Sequence, residues 1–244
     1  MNLFLASNIG GVKKENGKKI PIKFFEDNKF LENLKKSINQ NRKFVLVASD
    51  PNSFEKNDLF LQMDIEALKL SGISFENYLV LDNRSKKNVK EVLKDSDLIF
   101  LCGGDTLTQN TFFNEINLKK YLKEIDSTIV GISAGSINLA SNVYNSPEDA
   151  EDLNKPSYLN GLELTNINII PHFNLNDFND ENNKLQNNAI LEESCKRTLI
   201  ALVDGSYIYI NDKDCRLYGE SYEIKDMTIT KICNQESVEN LNDK

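Results

Sequence analysis

The sequence predicts an α/β fold: a three-layer α/β/α sandwich in which a mostly parallel sheet lies between two layers of helices. Three observations carry that prediction. Short apolar runs alternate with helical stripes from Leu3 to Ser141, the order that builds parallel sheets with crossover helices. Two of those runs break into glycine turns that lead straight into helix starts, at Cys102-Gly103-Gly104-Asp105-Thr106 and at Gly131-Ile132-Ser133-Ala134-Gly135. The chain, at 244 residues, can bury one substantial core, and no linker composition divides it.

Taken in order, Leu3–Ala6 reads as the first strand and Asn8–Lys19 as a polar loop rich in Gly and Lys. Leu31, Leu34 and Ile38 recur at helical spacing over Phe30–Ile38. Phe44–Ala48 is a continuous apolar run, the pattern of a strand covered on both faces. Leu59, Met63, Ala67 and Leu70 form a helix stripe that stops at Gly72. Tyr78–Leu81 is a strand, Val89–Leu93 a short helix and Leu98–Leu101 a strand that ends at the glycine pair. Thr106–Ile125 reads as one helix, with Thr106 and Gln109 as a capping box. Thr128–Ile132 is the strand before Ser133, and Ala134–Ser141 the helix after it. From Val143 to Asn160 the periodicity lapses into an acidic loop, which is either a solvated linker or a source of a carboxylate for a nearby site. A polar stretch over Asn174–Lys184 precedes a helix that ends near Lys196. Leu199–Val203 and Tyr207–Ile210 are short strands joined through Asp204-Gly205, followed by strands at Arg216–Tyr218 and Met227–Ile232 and a frayed tail from Asn234. These late strands are expected to be antiparallel.

The chemistry centres on Ser133. G-x-S-x-G at a strand-to-helix junction is the nucleophile-elbow pattern, in which a sharp turn lifts one hydroxyl above the sheet. The same residues also suit an ordinary glycine-containing strand–helix turn. The N–H of Ala134 opens the helix after the serine, and the glycine pair at Gly103-Gly104 could supply a second donor for an oxyanion. His172, in Ile169-Ile170-Pro171-His172-Phe173, is the only histidine of the chain. It follows an apolar run, at a strand end where α/β sheets place their sites. If an imidazole activates Ser133, it is this one.

Composition narrows the partners. A net charge of −8 without a basic stripe argues against nucleic acid. No apolar run approaches the roughly 20 residues that span a bilayer. Met1–Ala6 reads as a strand rather than a signal peptide. The four cysteines lack metal-ligand spacing and read as reduced thiols of a cytoplasmic protein, with Cys102 a small buried residue at a strand end. No cofactor and no metal is expected.

Four blocks together resemble the peptidase E (aspartyl dipeptidase) and cyanophycinase group of serine peptidases, family S51, built on the class I glutamine amidotransferase-like, flavodoxin-like fold. The blocks are Leu3-Phe4-Leu5-Ala6-Ser7-Asn8, Cys102-Gly103-Gly104-Asp105-Thr106, Gly131-Ile132-Ser133-Ala134-Gly135 and Pro171-His172-Phe173. The resemblance implies a single domain over 1–244, with Ser133 as nucleophile, His172 as general base and backbone donors at Gly104 and Ala134. It also implies an acid about fifteen to eighteen residues after the serine, which puts Glu148, Asp149 and Glu151 in range and Glu148 first. The expected activity is serine-type hydrolysis of short peptides, dipeptidase-like, with homo-oligomer formation left open. Where peptidase E has Gly-Gly-Asn-Thr this chain has Gly-Gly-Asp-Thr, and its loop after Ser133 is longer, so the preference for N-terminal aspartate is not carried over. The alternatives are a non-catalytic small-ligand binding or regulatory protein on the same scaffold, and another amide hydrolase or amidotransferase. An amidotransferase would want cysteine at position 133.

Overall fold

The computed structural model describes residues 1–179, 183–212 and 214–242. Its strands and helices follow the hydrophobic pattern closely in the first half of the chain. β1 (Asn2–Ala6), a hairpin of β2 (Gly10–Glu15) and β3 (Lys18–Phe24), and α1 (Phe30–Ser37) come first. β4 (Lys43–Val47), α2 (Phe54–Leu70), β5 (Asn77–Leu81), α3 (Val89–Leu93) and β6 (Leu98–Leu101) follow. Next come α4 (Thr106–Glu115), α5 (Leu118–Lys123), β7 (Thr128–Ile132) and α6 (Ala134–Ile137). A second hairpin pairs β8 (Asn142–Tyr144) with β9 (Tyr158–Asn160), before β10 (Asn168–Ile170), α7 (Lys184–Ser194) and β11 (Leu199–Leu202). The chain finishes with β12 (Tyr207–Ile210), β13 (Cys215–Tyr218), β14 (Ser221–Lys225), β15 (Thr228–Cys233) and β16 (Val238–Asn240).

Among the described residues the main sheet has eight strands in the order β16-β13-β12-β1-β7-β6-β4-β5. The run from β1 to β5 is parallel, and β12, β13 and β16 extend it antiparallel. Strand alternation sends side chains to two separate cores. Leu3, Leu5, Val45, Val47, Ile99 and Leu101 pack with Phe112, Leu118 and Leu122 of α4 and α5. Phe4, Phe44, Leu46, Phe100 and Val130 pack on the other face with Leu34 of α1 and Leu68 of α2. Burial on both faces is why Phe44–Val47 of β4 and the whole of β6 read as unbroken apolar runs. β5, at the sheet edge, alternates instead between exposed and covered positions. No helix among the described residues is long and apolar enough to cross a membrane.

Several expectations need correction. The segment read as a polar loop before Lys19 is the β2–β3 hairpin, closed by Asn16-Gly17, both at positive φ (48° and 78°). Two such residues make a type I′ turn, and the Asn-Gly pair was its signal. Of the stripe Leu59, Met63, Ala67 and Leu70 on α2, only Ala67 is buried. Leu59 and Leu70 are exposed, and Leu68, outside the stripe, joins Ala67 in the core. The single helix over Thr106–Ile125 is two, broken where Asn117 takes φ 51°. Asp105, not Thr106, caps α4: its carboxylate accepts from the Thr108 N–H at 2.7 Å. Gln109 turns inward instead, donating to the Cys102 carbonyl at 2.6 Å. The strands on either side of Asp204-Gly205 belong to different sheets. β11 joins a four-stranded sheet in the order β10-β11-β14-β15, and β12 joins the main one. That second sheet has its own core, with Phe173, Ile190, Leu199, Tyr222 and Ile224. Its inner strands alternate weakly in sequence because both faces are covered, Ile169, Ile200 and Leu202 packing into the first core and Leu199 and Ile224 against Ile190 of α7, and β14 carries no mark in the sequence reading.

Candidate active site

Ser133 sits where β7 turns into α6, with φ 52° and ψ −114°. Non-glycine residues rarely occupy that region, and such strain persists only where the surroundings enforce it. Here the enforcement is close packing of backbone. A Cβ on Gly135 would collide with the Leu101 carbonyl of β6, so only glycine lets α6 lie against the sheet. The Ser133 N–H donates to Ala6 O at 2.9 Å. Ser136 completes the clamp, its hydroxyl accepting from the Ala6 N–H at 2.7 Å and donating to the Ala6 carbonyl at 2.8 Å.

The glycine pair lies beside the serine. A Cβ on Gly103 would fall 3.3 Å from Cβ of Ser133, which measures how close the two turns run. A buried amide network holds them in register. Asn138 of the segment after α6 donates to Gln109 Oε1 at 3.0 Å, while Asn110 donates to Asn138 Oδ1 at 2.9 Å and to the Asn160 carbonyl at 2.9 Å. Ala134 stands in the first turn of α6, where an N–H has no intrahelical acceptor. Gly104 and Ala134 line the same cavity as Ser133 and His172, a space of about 640 Å³.

His172 follows β10 and, like Ser133, holds a positive φ, 57°. Its Nε2 lies 2.9 Å from Ser133 Oγ, and its Nδ1 lies 2.7 Å from Asp204 Oδ1. Asp204 stands in the crossing between the two sheets. Ser7, fully buried at the end of β1, binds both partners: its hydroxyl donates to Asp204 Oδ1 at 2.8 Å and accepts from the His172 N–H at 2.7 Å. Asn8 reaches the other carboxylate oxygen at 3.4 Å, and its carbonyl accepts from the Gly205 N–H at 3.0 Å.

The electrostatics follow from these contacts. The hydrogen bond to Asp204 raises the His172 pKa above the ordinary 6.5, burial opposes it, and the charge of Asp204 and, less strongly, of Glu148 raises it further. The hydrogen bond to His172 in turn holds the Asp204 carboxyl below its ordinary 3.8. The Cys102 thiol is buried and its pKa is pushed up, chiefly by desolvation, so it is no competing nucleophile. No two of the four cysteines are joined in a disulfide.

Glu148 is therefore not the acid on the imidazole. Nδ1 of His172 is taken by Asp204, and Glu148 lies on the 146–155 loop of the cavity wall, acting on the ring only through its charge. Asp149 and Glu151 do not reach the ring either; Asp149 accepts N–H groups of its own loop. In the sequence Asp204-Gly205 reads only as the junction of two short strands. Its signal was an acid ending an apolar run, as His172 does.

A comparison with protein families matches the model of peptidase family S51 over residues 21–218. The chain belongs to peptidase family S51. It is a peptidase, and the solved structures it resembles agree in fold. A peptidase from an acI-B1 Actinobacterium superposes with a TM-score of 0.70 at 16% identity, covering 98% of this chain and 96% of that one. A putative peptidase E protein from Listeria monocytogenes EGD-e gives 0.59 at 18% identity, covering 88% of this chain and 96% of that one. A comparison with curated proteins gave no match. The large, mostly parallel sheet between helices that the sequence predicted is the fold this chain shares with them.

Proposed function

We propose that this S51 peptidase hydrolyses short peptides by serine acyl transfer, with Ser133, His172 and Asp204 as its triad. The observation that carries the reading is the unbroken chain of contacts from Ser133 Oγ through the imidazole to Asp204, at 2.9 and 2.7 Å. With Nδ1–H donating to Asp204, Nε2 is left free to accept the serine proton. Ser133 Oγ then bonds the amide carbon while its proton passes to Nε2, and the carbonyl electrons move onto oxygen. Backbone N–H groups at Gly104 and Ala134 are the donors this reading assigns to that oxyanion. Collapse breaks the C–N bond, the leaving amine takes the proton from Nε2, and an ester to Ser133 remains. A water, deprotonated by the same nitrogen, hydrolyses the ester and restores the serine.

The cavity walled on one side by the 146–155 loop favours short peptides over folded proteins. The test is a fluorophosphonate probe with mass mapping, alongside a dipeptide library. Ser133 should be labelled, and Ser133→Ala should lose labelling and at least about 10³-fold in kcat/KM with its melting temperature kept. Hydrolysis within tenfold of the parent would retire the elbow. Absence of both labelling and turnover would favour a binding protein.

A further inference from the structure

We propose that Gln109 and Asn138 are positioning residues of the reaction, whose buried amides aim the two halves of the oxyanion hole at one point. The inference rests on the serine-peptidase reading and names what sets the backbone donors of that site.

The two halves belong to different segments, the turn after β6 and the start of α6. The turn cannot fix its own direction. Gly103 and Gly104 have no side chain to restrict them, and Gly104 stands at φ 155°, a conformation open to glycine. The buried amides grip the turn on both sides of the pair. Before it, Gln109 Nε2 donates to the Cys102 carbonyl at 2.6 Å. That carbonyl shares one rigid peptide plane with the Gly103 N–H, so holding the oxygen holds the plane. After it, Asn138 Nδ2 donates to the Thr106 carbonyl at 3.1 Å. The same amide group donates to Gln109 Oε1 at 3.0 Å, which joins the two grips.

Asn138 is tied to the second half as well. Its N–H donates to the Ala134 carbonyl at 3.0 Å, within the short helix that begins at the other donor. Its Oδ1 accepts from Asn110 at 2.9 Å and its carbonyl from the Leu162 N–H at 2.9 Å, so every polar atom of Asn138 is engaged.

Stability does not ask for amides at these positions. Gln109 and Asn138 are fully buried in elements whose other buried residues include Phe112, Phe113 and Leu139. Apolar side chains of the same shape would fill the space without desolvating an amide. A satisfied amide pair adds direction, and an oxyanion donor needs direction, because it stabilises developing charge only where it is already aimed.

The experiment measures kcat/KM for matched oxo and thiono esters of one aminoacyl group in the parent, Gln109→Met and Asn138→Leu, with thermal melts and the acid limb of the pH profile. Sulfur in place of the carbonyl oxygen is a poor acceptor, so the oxo-to-thiono ratio reads how well the hole is aimed. The parent should prefer the oxo ester by at least about 10²-fold. Each variant should lose about 10- to 10²-fold on the oxo ester and less than about threefold on the thiono ester, with the acid limb in place. Gln109→Met leaves Asn138 its other partners and gives the reading where Asn138→Leu does not fold. Equal losses on the two esters, or an oxo rate within about threefold of the parent, overturn the assignment while the triad stands. A parent with neither turnover nor fluorophosphonate labelling of Ser133 removes both readings.

Discussion

Two carboxylate-bearing segments flank His172, and they differ in how they are held. Asp204 lies in the crossing from β11 to β12, tied by Ser7 and Asn8 to the end of β1 and so to the main sheet. Glu148 lies on a loop between two short strands, exposed and bound through its backbone to the loop itself. A carboxylate that must hold an imidazole in one orientation needs its own orientation fixed by packed neighbours. On the proposed reading Asp204 has that positioning role, while Glu148 acts on the imidazole through its charge alone.

The largest expected effect tests that separation directly. Asp204→Asn should lower kcat by about 10²–10⁴, because the amide no longer enforces the Nδ1–H tautomer. Steady-state kinetics with the alkyl ester and amide of one acyl group checks this, and a loss below tenfold would return the orienting role to another acid. The Asp204–His172 contact should also stabilise the fold within a pH window. The lowered Asp204 pKa adds stability above 3.8 that is lost as pH falls through the folded value. The raised His172 pKa adds stability below 6.5 that is lost as pH rises through its folded value. The gap in urea midpoint between parent and Asp204→Asn should accordingly be widest between those two values, and modest, since both groups are about half exposed.

Ser7→Ala comes next in size. It removes a hydroxyl that serves both partners, leaving the His172 N–H without its acceptor. About 1–3 kcal/mol of stability should be lost, with about a tenfold fall in kcat/KM. Ser7→Thr, which keeps the hydroxyl, should recover part of the rate if the role is positioning. Thermal melts paired with kinetics read both.

The smallest effect is on the pH profile. The imidazole must be neutral to accept the serine proton, so the acid limb of kcat/KM should lie above 6.5, where the raised pKa puts it. With one histidine in the chain, its ring resonances report the same midpoint by NMR. Glu148→Gln should lower that midpoint, since removing a negative charge disfavours the imidazolium, but by less than Asp204→Asn, which also removes the hydrogen bond. Equal shifts from the two variants would erase the distinction between the segments.

Local pattern by itself determined the parallel half of the fold and the two turns that meet at the site. The runs at Phe44–Ala48 and Leu98–Leu101 can only be buried strands, and the glycines around Ser133 are demanded by backbone approaching backbone. His172 was legible because no other imidazole exists. The acid was not legible, because a carboxylate's partner is set by which loops meet, not by spacing along the chain. Glu148 is 24 residues before His172 and Asp204 is 32 after it, and neither distance favours one over the other. The choice was made by the second sheet. Parallel pairing of β10 with β11 brings the residues that follow each strand side by side, and the return of β12 to the main sheet beside β1 sets Asp204 against Ser7. Those are long-range pairings, whose register depends on the assembled core and leaves no mark in any one segment.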